Sequence, residues 1–259
     1  MDVLLVGVGG QAVIQATWCN SGNLGDRLTP WLIHRMTGEW PVYVEHHVPA
    51  ETYLAVGSVL SWAGPMTTVW GSGIMSRGDN INPLADIRAV RGPLSLEAAR
   101  RCGAACPDVY GDPAILCPLY EQLEKTEPEW DVGFVPHYTD QHWFPATLPE
   151  GWTSLNVFDN IESFIAKMCR CRVVVGSSLH GLILADACEV PSVRVVIGDS
   201  LGGDGVKYSD YYESVGRDIA RTLPWRTARA WSTEDLVSHA DLGNVGRLQT
   251  PLLNACPWL

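Results

Sequence analysis

The sequence predicts an α/β protein built on largely parallel sheet, and three observations carry that expectation. Short apolar runs of strand length alternate with helical patterns along the whole chain, as βαβ units require. A stretch from Pro118 to Asp131, rich in Glu and Pro with few apolar residues, interrupts the alternation near the middle. Beyond it one complete βαβ unit reads residue by residue: the buried strand Val173-Val174-Val175, the turn Gly176-Ser177-Ser178, the apolar helix Leu179 to Cys188 and the strand Val193 to Ile197.

Taken in order, the first strand is Val3 to Val8. Gly7, Gly9 and Ala12 after it have the GxGxxA spacing of a dinucleotide site. The following Thr17 to Asp26 is polar and turn-rich, and no acidic residue ends a second strand about 20 residues on, so these glycines read as a tight βα turn. A helix at about Asp26 to Met36 comes next, then strands Val42 to His46, Thr52 to Val56, Thr68 to Trp70 and Ile87 to Val90, and a helix Ser95 to Arg101. In the second run Val132 to Val135 is a strand, and Ile161, Phe164, Ile165 and Met168 recur at the i, i+3, i+4, i+7 spacing of an amphipathic helix. Trp225, Trp231 and Trp258 mark a terminal helix and tail packing back onto the body. The expected division is residues 1–120, a linker 121–131, and 132–259.

Composition excludes several classes of protein. With 46% hydrophobic and 18% charged residues the 259-residue chain is no disordered segment, and no apolar stretch reaches the roughly 18–20 residues needed to span a bilayer. Met1-Asp2 leads straight into apolar residues without a basic leader, so a cytoplasmic location is expected. The net charge of −11 would repel a nucleic-acid backbone, and no basic stripe offsets it. Eight cysteines lack the paired CxxC spacing of structural zinc, and a chain this long needs no disulfide staples, so free thiols are expected. Glu45-His46-His47 reads as an exposed strand end, and no metal or cofactor is expected.

Any anionic ligand must therefore find the few basic residues and helix N-termini gathered in one cleft. Asn20-Ser21-Gly22-Asn23-Leu24-Gly25-Asp26 reads either as an N-capped loop or as a ligand-binding nest with amide and carboxylate groups. Arg91 stands at a strand-to-helix junction, where its planar fork suits an anion clamp; Arg100 and Arg101, near a helix end, complement its dipole. Tyr110-Gly111-Asp112-Pro113 reads as a turn closing the first half. The sharpest feature is Gly176-Ser177-Ser178-Leu179-His180-Gly181, which sets two hydroxyls and an imidazole at a helix N-terminus, where a phosphate would sit. A protonated His180 there can hand a proton to a departing phosphate. Asp199 and Gly202-Gly203-Asp204-Gly205 form a loop ending in Lys207-Tyr208-Ser209-Asp210.

In this order the motifs resemble the polysaccharide pyruvyltransferase family: Asn20 to Asp26, Val90 to Ser95, Gly111 to Leu116, Ser178-Leu179-His180-Gly181, and Asp199 with Lys207 to Asp210. The resemblance covers about residues 20 to 216 and is nearest to the exopolysaccharide branch of succinoglycan and xanthan type. It implies two Rossmann-like domains in a GT-B-like arrangement with an interdomain cleft, the donor on the C-terminal side and the acceptor on the N-terminal side. It further implies phosphoenolpyruvate as donor and a hexose in an oligosaccharide or lipid-linked repeat unit as acceptor, with at most peripheral membrane association at the inner face. By position His180 and Lys207 match residues of donor binding and catalysis, and Arg91 matches the arginine of a shared motif. Ser178 stands where many members carry arginine, so Arg91 or Lys207 must supply that charge.

Ketal formation protonates the methylene carbon of phosphoenolpyruvate, adds one sugar hydroxyl at C2, releases phosphate and closes with a second hydroxyl. The expected donor site is Arg91, Ser177, Ser178, Leu179, His180 and Lys207, and the expected acceptor side is Asn20, Asn23, Asp26, His137 and Asp140. His180 is the expected acid, with Asp26, or His137 with Asp140, as base. A GT-B nucleotide-sugar glycosyltransferase and a non-catalytic saccharide-binding relative are the competing readings.

Overall fold

Among the described residues, short runs of two to six residues pair side by side, each strand pair parallel, into two five-stranded sheets. The computed structural model describes residues 13–121, 127–143, 147–198 and 204–259. The first sheet holds β1 (Gln15–Ala16), β2 (Val42–Tyr43), β3 (Thr52–Leu54), β4 (Thr67–Trp70) and β5 (Asp86–Ala89) in the order β2-β1-β3-β4-β5. The second holds β6 (Trp130–Val135), β7 (Trp152–Ser154), β8 (Cys171–Gly176), β9 (Ser192–Val196) and β10 (Leu223–Pro224) in the order β7-β6-β8-β9-β10. Counted from its own first strand, each sheet has the order 2-1-3-4-5, so each reverses direction of growth once, between β1 and β3 and between β6 and β8. Such switch points leave a crevice outside the carboxyl ends of the strands. Two like-wound parallel sheets with helical connections are consistent with two Rossmann-like domains.

Local chemistry sets the helices that reach those crevices. Helix α1 (Leu24–Thr37) starts at Asn23, whose side chain accepts from the Asp26 N–H, and stops at Gly38, left-handed at φ 80°. Helix α2 (Pro93–Arg101) opens with proline at its first position, where no N–H is needed. Helix α3 (Ile161–Met168) turns Ile161, Phe164, Ile165 and Met168 inward as the spacing predicts, and Ser178 caps α4 (Leu179–Ala187). Helix α5 (Val206–Val215) follows the left-handed Gly205; α6 (Trp225–Ala228), α7 (Thr233–His239) and α8 (Gly246–Asn254) complete the chain.

One apolar core joins the two sheets. Leu24, Leu28 and Leu32 of α1 pack with Ile115 and Leu116, with Leu179, Leu182 and Ile183 of α4, and with Tyr208 and Tyr211 of α5. Helix α8 returns to the first sheet, where the Trp70 indole N–H donates to the Leu252 carbonyl at 2.8 Å. Trp258 meets the rings of Tyr53 and Trp70 at 5.1 and 5.3 Å. All eight cysteines are free thiols.

Several boundaries differ from the sequence expectation. Strand β6 begins at Trp130, inside the expected linker, because Trp130 pairs with Cys171 of β8 and its ring lies under Lys167 and Arg170. Pro118 belongs to a 3₁₀ helix, Pro113–Tyr120, which Asp112 starts as its cap. Lys207 to Asp210 lie in a helix and not at the end of a loop. The expected strand Val3 to Val8 with Gly7, Gly9 and Ala12, and the loop residues Asp199, Gly202 and Gly203, lie outside the described residues.

Candidate active site

A cavity of about 160 Å³ opens where the carboxyl ends of the two sheets meet. Every residue lining it follows the end of a strand. Cys19, Ser21, Asn23 and Asp26 come after β1, Val56 to Val59 and Trp62 after β3, and Met75 after β4. His137 and Tyr138 follow β6, Val157 follows β7, Ser178 to His180 follow β8, and Lys207 follows β9. The first turns of α1, α4 and α5 all end on this space, so free N–H groups and the positive ends of three helix dipoles converge there. A larger groove of about 660 Å³ lies against Cys169 and Cys188, at the carboxyl ends of α3 and α4, where helix dipoles disfavour an anion.

His180 and Lys207 both line the cavity. The His180 ring is 16% exposed, with Nε2 buried and 3.6 Å from Asp112 Oδ2. Its Nδ1 edge packs against Gly25 so closely that a Cβ there would overlap the ring. Lys207 is nine-tenths buried in the first turn of α5. That turn is held by the Tyr208 hydroxyl donating to the Ser177 carbonyl at 2.7 Å and by Arg194 stacked 3.8 Å over the Tyr208 ring. Burial pushes the Lys207 ammonium down to about 8; the Arg91 and Arg194 charges push the same way and Asp140 opposes them. Among the described residues no carboxylate pairs with it, which leaves a cation available to a ligand.

On the opposite wall Asp26 accepts from Asn23 Nδ2 at 2.8 Å and from the Ser21 backbone N–H and hydroxyl. Burial raises its pKa above the usual carboxylate value, against the Ser21 hydrogen bond and the His180 charge. His137 sits between the walls, its Nδ1 2.7 Å from the Thr139 hydroxyl. Burial pushes its pKa down to about 4, with Lys207 and His180 adding to the shift, so the ring is neutral at pH 7.

Four expected site residues lie off the wall. Arg91 is fully buried, with Nε on Asp210 at 3.0 Å, Nη1 on the Ser58 hydroxyl at 2.7 Å and Nη2 on the Ile74 carbonyl at 2.7 Å. Its fork is occupied by protein, so it reaches the cavity only through Ser58 and supplies no direct clamp. Ser177 is buried behind the wall, donating to Asp140 at 2.7 Å and accepting from the His137 N–H at 2.9 Å. Asp140 is buried with it, and Asn20 is exposed at the loop's start; neither lines the cavity. Ser178 and Leu179 do line it, Ser178 with its hydroxyl turned to the Gly181 N–H at 3.4 Å. The Glu45-His46-His47 cluster is exposed, with ligand atoms within 4.8 Å of one another. His46 is stacked on Trp62, whose ring also borders the cavity.

Asp112, Gly25, Trp62 and Tyr138 were not singled out by sequence reasoning. Asp112 had a signal, since it sits in the Gly111 to Leu116 motif. Gly25 had one too, as a glycine of the Asn20 to Asp26 motif. Nothing local marks the two aromatic residues.

Two like-wound parallel sheets that turn their carboxyl ends, a histidine, a lysine and three helix N-termini onto one cavity define an α/β protein suited to a small anion. A polysaccharide pyruvyl transferase family model matches residues 68–200, and the chain belongs to that family. The matched segment includes Asp112, His137 and His180, while Asp26 and Lys207 flank it. An uncharacterized protein, L143, of Acanthamoeba polyphaga mimivirus is 27% identical over 211 residues, covering 75% of this chain and 71% of that protein. The succinoglycan biosynthesis protein ExoV of Rhizobium meliloti is 31% identical over 208 residues, covering 75% of this chain and 62% of ExoV. A functionally uncharacterized protein from Klebsiella pneumoniae has a crystal structure that superposes with a TM-score of 0.44 at 12% identity, over 77% of this chain and 87% of that one.

Proposed function

We propose that the chain transfers the pyruvyl group of phosphoenolpyruvate onto two hydroxyls of a hexose, in an exopolysaccharide or its lipid-linked repeat unit, forming a pyruvate ketal and releasing phosphate. The observation that carries this reading is the cavity shared by His180, Lys207, Asp26 and three helix N-termini in a chain of this family. The similarity to a succinoglycan biosynthesis protein supports a polysaccharide acceptor. The two sheets, meeting at their carboxyl ends, support a GT-B-like arrangement with the donor on the side of β8 and α4. In this reading the chain acts in the cytoplasm, at most peripherally on the inner membrane face. No helix among the described residues is long and apolar enough to cross a membrane.

The donor carries a phosphate and a carboxylate, and Lys207 with the N–H groups of α4 and α5 neutralises them. His180 delivers a proton to the methylene carbon, which becomes the methyl group, while one sugar hydroxyl adds to C2. Asp26, with a pKa raised toward working pH, takes the proton from that hydroxyl. A second hydroxyl then closes the ketal as the C2–O bond to phosphate breaks, and its proton leaves with the departing phosphate. Arg91 contributes through Ser58, and the charge that arginine supplies at position 178 elsewhere falls here to Lys207.

Incubation with phosphoenolpyruvate and a panel of galactosides, glucosides and mannosides, read by mass spectrometry, should reveal a ketal product with matching phosphate release. His180→Ala should cut that release by about 10²–10⁴-fold, the range typical of a lost general acid, with the fold retained by circular dichroism. Absence of any ketal, together with thermal protection by a nucleoside diphosphate but not by phosphoenolpyruvate, would overturn the proposal in favour of glycosyl transfer.

A further inference from the structure

Asp112 is buried beside His180 with one oxygen used and one oxygen idle. Its Oδ1 accepts the Ala114 N–H at 3.1 Å, as cap of the 3₁₀ helix. Its Oδ2 is buried, has no hydrogen-bond partner, and faces His180 Nε2, itself buried and without a partner, across 3.6 Å. A buried carboxylate oxygen and a buried ring nitrogen each forfeit the stabilisation of a partner, a costly arrangement unless the pair acts together. The carboxylate is held firmly. Gly71, at the end of β4, lies so close to the Gly111 carbonyl and the Pro113 ring that no side chain fits between them. The imidazole is held from its other edge by Gly25 of α1. Carboxylate and imidazole come from different sheets, Asp112 from the segment after β5 and His180 from the segment after β8.

We infer that Asp112 is the positioning residue of His180: it takes the Nε2–H, fixes the ring in that tautomer, and leaves Nδ1 to exchange the proton with a ligand in the cavity. A carboxylate accepts and cannot donate, so a neutral His180 paired with it must carry its hydrogen on Nε2. The same contact stabilises the imidazolium that precedes proton donation, without any transfer of the proton to Asp112. The other charged or titratable groups around the ring are Asp26 on α1, His137 after β6 and Lys207 on α5. None of them faces Nε2 as Asp112 does. The catalytic consequence rests on the pyruvyl-transfer reading; the tautomer assignment does not.

Two variants of the full chain test it. In Asp112→Asn the amide oxygen can still accept the Ala114 N–H, which turns the amide NH₂ toward Nε2 and requires that nitrogen to accept. Nitrogen-15 spectra of the labelled imidazoles, with the His180 signals assigned by their loss in His180→Gln, read the tautomer directly, at a pH where the ring is neutral. The expected result is Nε2–H in the native chain and Nδ1–H in Asp112→Asn. Turnover in Asp112→Asn should fall by about 10²–10⁴-fold, as for a general acid in the wrong tautomer, with KM for phosphoenolpyruvate little changed. Asp112→Ala, which removes cap and pairing together, should give a mixture of tautomers and a comparable loss. An Nδ1–H native ring, or an Asn variant with unchanged tautomer and turnover, would overturn the inference. If no ketal forms with any acceptor, the pyruvyl-transfer reading fails, and the spectra still decide the role of Asp112.

Discussion

Lys207 carries a charge that burial brings close to neutrality, and a pH dependence of binding follows from that. With its pKa near 8, the ammonium is mostly protonated at pH 7 and mostly neutral at pH 9. Affinity for phosphoenolpyruvate should therefore fall as pH rises through about 8, and calorimetric titrations of Lys207→Met should lack that step. His137 acts in the opposite range. Its folded pKa, about 4, lies below the ordinary histidine value of 6.5, so between these values the unfolded chain binds the extra proton. The fold should lose stability as pH falls from 6.5 to 4, more steeply than in His137→Gln, by urea unfolding at each pH. At this scale the sequence exposes residue types but not their surroundings. His180 was legible because an imidazole at a helix start is chemically conspicuous, whereas a lysine after a glycine loop reads as solvated surface and Lys207 was expected at the site only through the family resemblance. Arg91 looked like a clamp because it stands at a strand-to-helix junction, yet its partner Asp210 lies 119 residues away, and only the folded chain shows that its fork is already filled.

Helix starts carry the site, and Gly25 decides how closely the starts of α1 and α4 approach. Alanine in place of a helix-interior glycine ordinarily adds about 1 kcal/mol of stability. Gly25→Ala should give no such gain, because its Cβ would occupy the place of the His180 ring. We expect an unraised melting temperature and a large loss of turnover, while an exposed control such as Gly246→Ala, with open space around it, should keep activity. Elements with a long repeat or a long apolar run were legible: α1, α3, α4 and β8 emerge within a few residues of expectation. Strands β1, β7 and β10 have two or three residues each, too short to show any period, and they exist because neighbouring strands complete their hydrogen bonds. Helix α5 was hidden by the glycine-rich loop before it.

The whole molecule is held together across its two sheets by a buried ion pair and a shared core. Asp210 receives Arg91 at 3.0 Å and the Ser95 N–H at 2.9 Å, so one carboxylate ties α5 to the start of α2. Removing it as Asp210→Ala strands a buried guanidinium, which should cost about 3–5 kcal/mol in denaturant unfolding. Because α1, α4, α5 and the 3₁₀ helix share one apolar cluster, loss of this pair should lower a single transition and not split it in two.

Alternation of strand and helix, the acidic balance and the order of the motifs were properties of the sequence alone, and they sufficed for the α/β class and the family. The class depends on local periodicity and composition and the family on the resemblance of its ordered motifs, and neither needs knowledge of contacts. Which charged groups line the cavity, which are consumed by partners, and which carboxylate meets His180 were decided by the tertiary structure. Burial and pairing join residues far apart in the chain, and no local pattern encodes them.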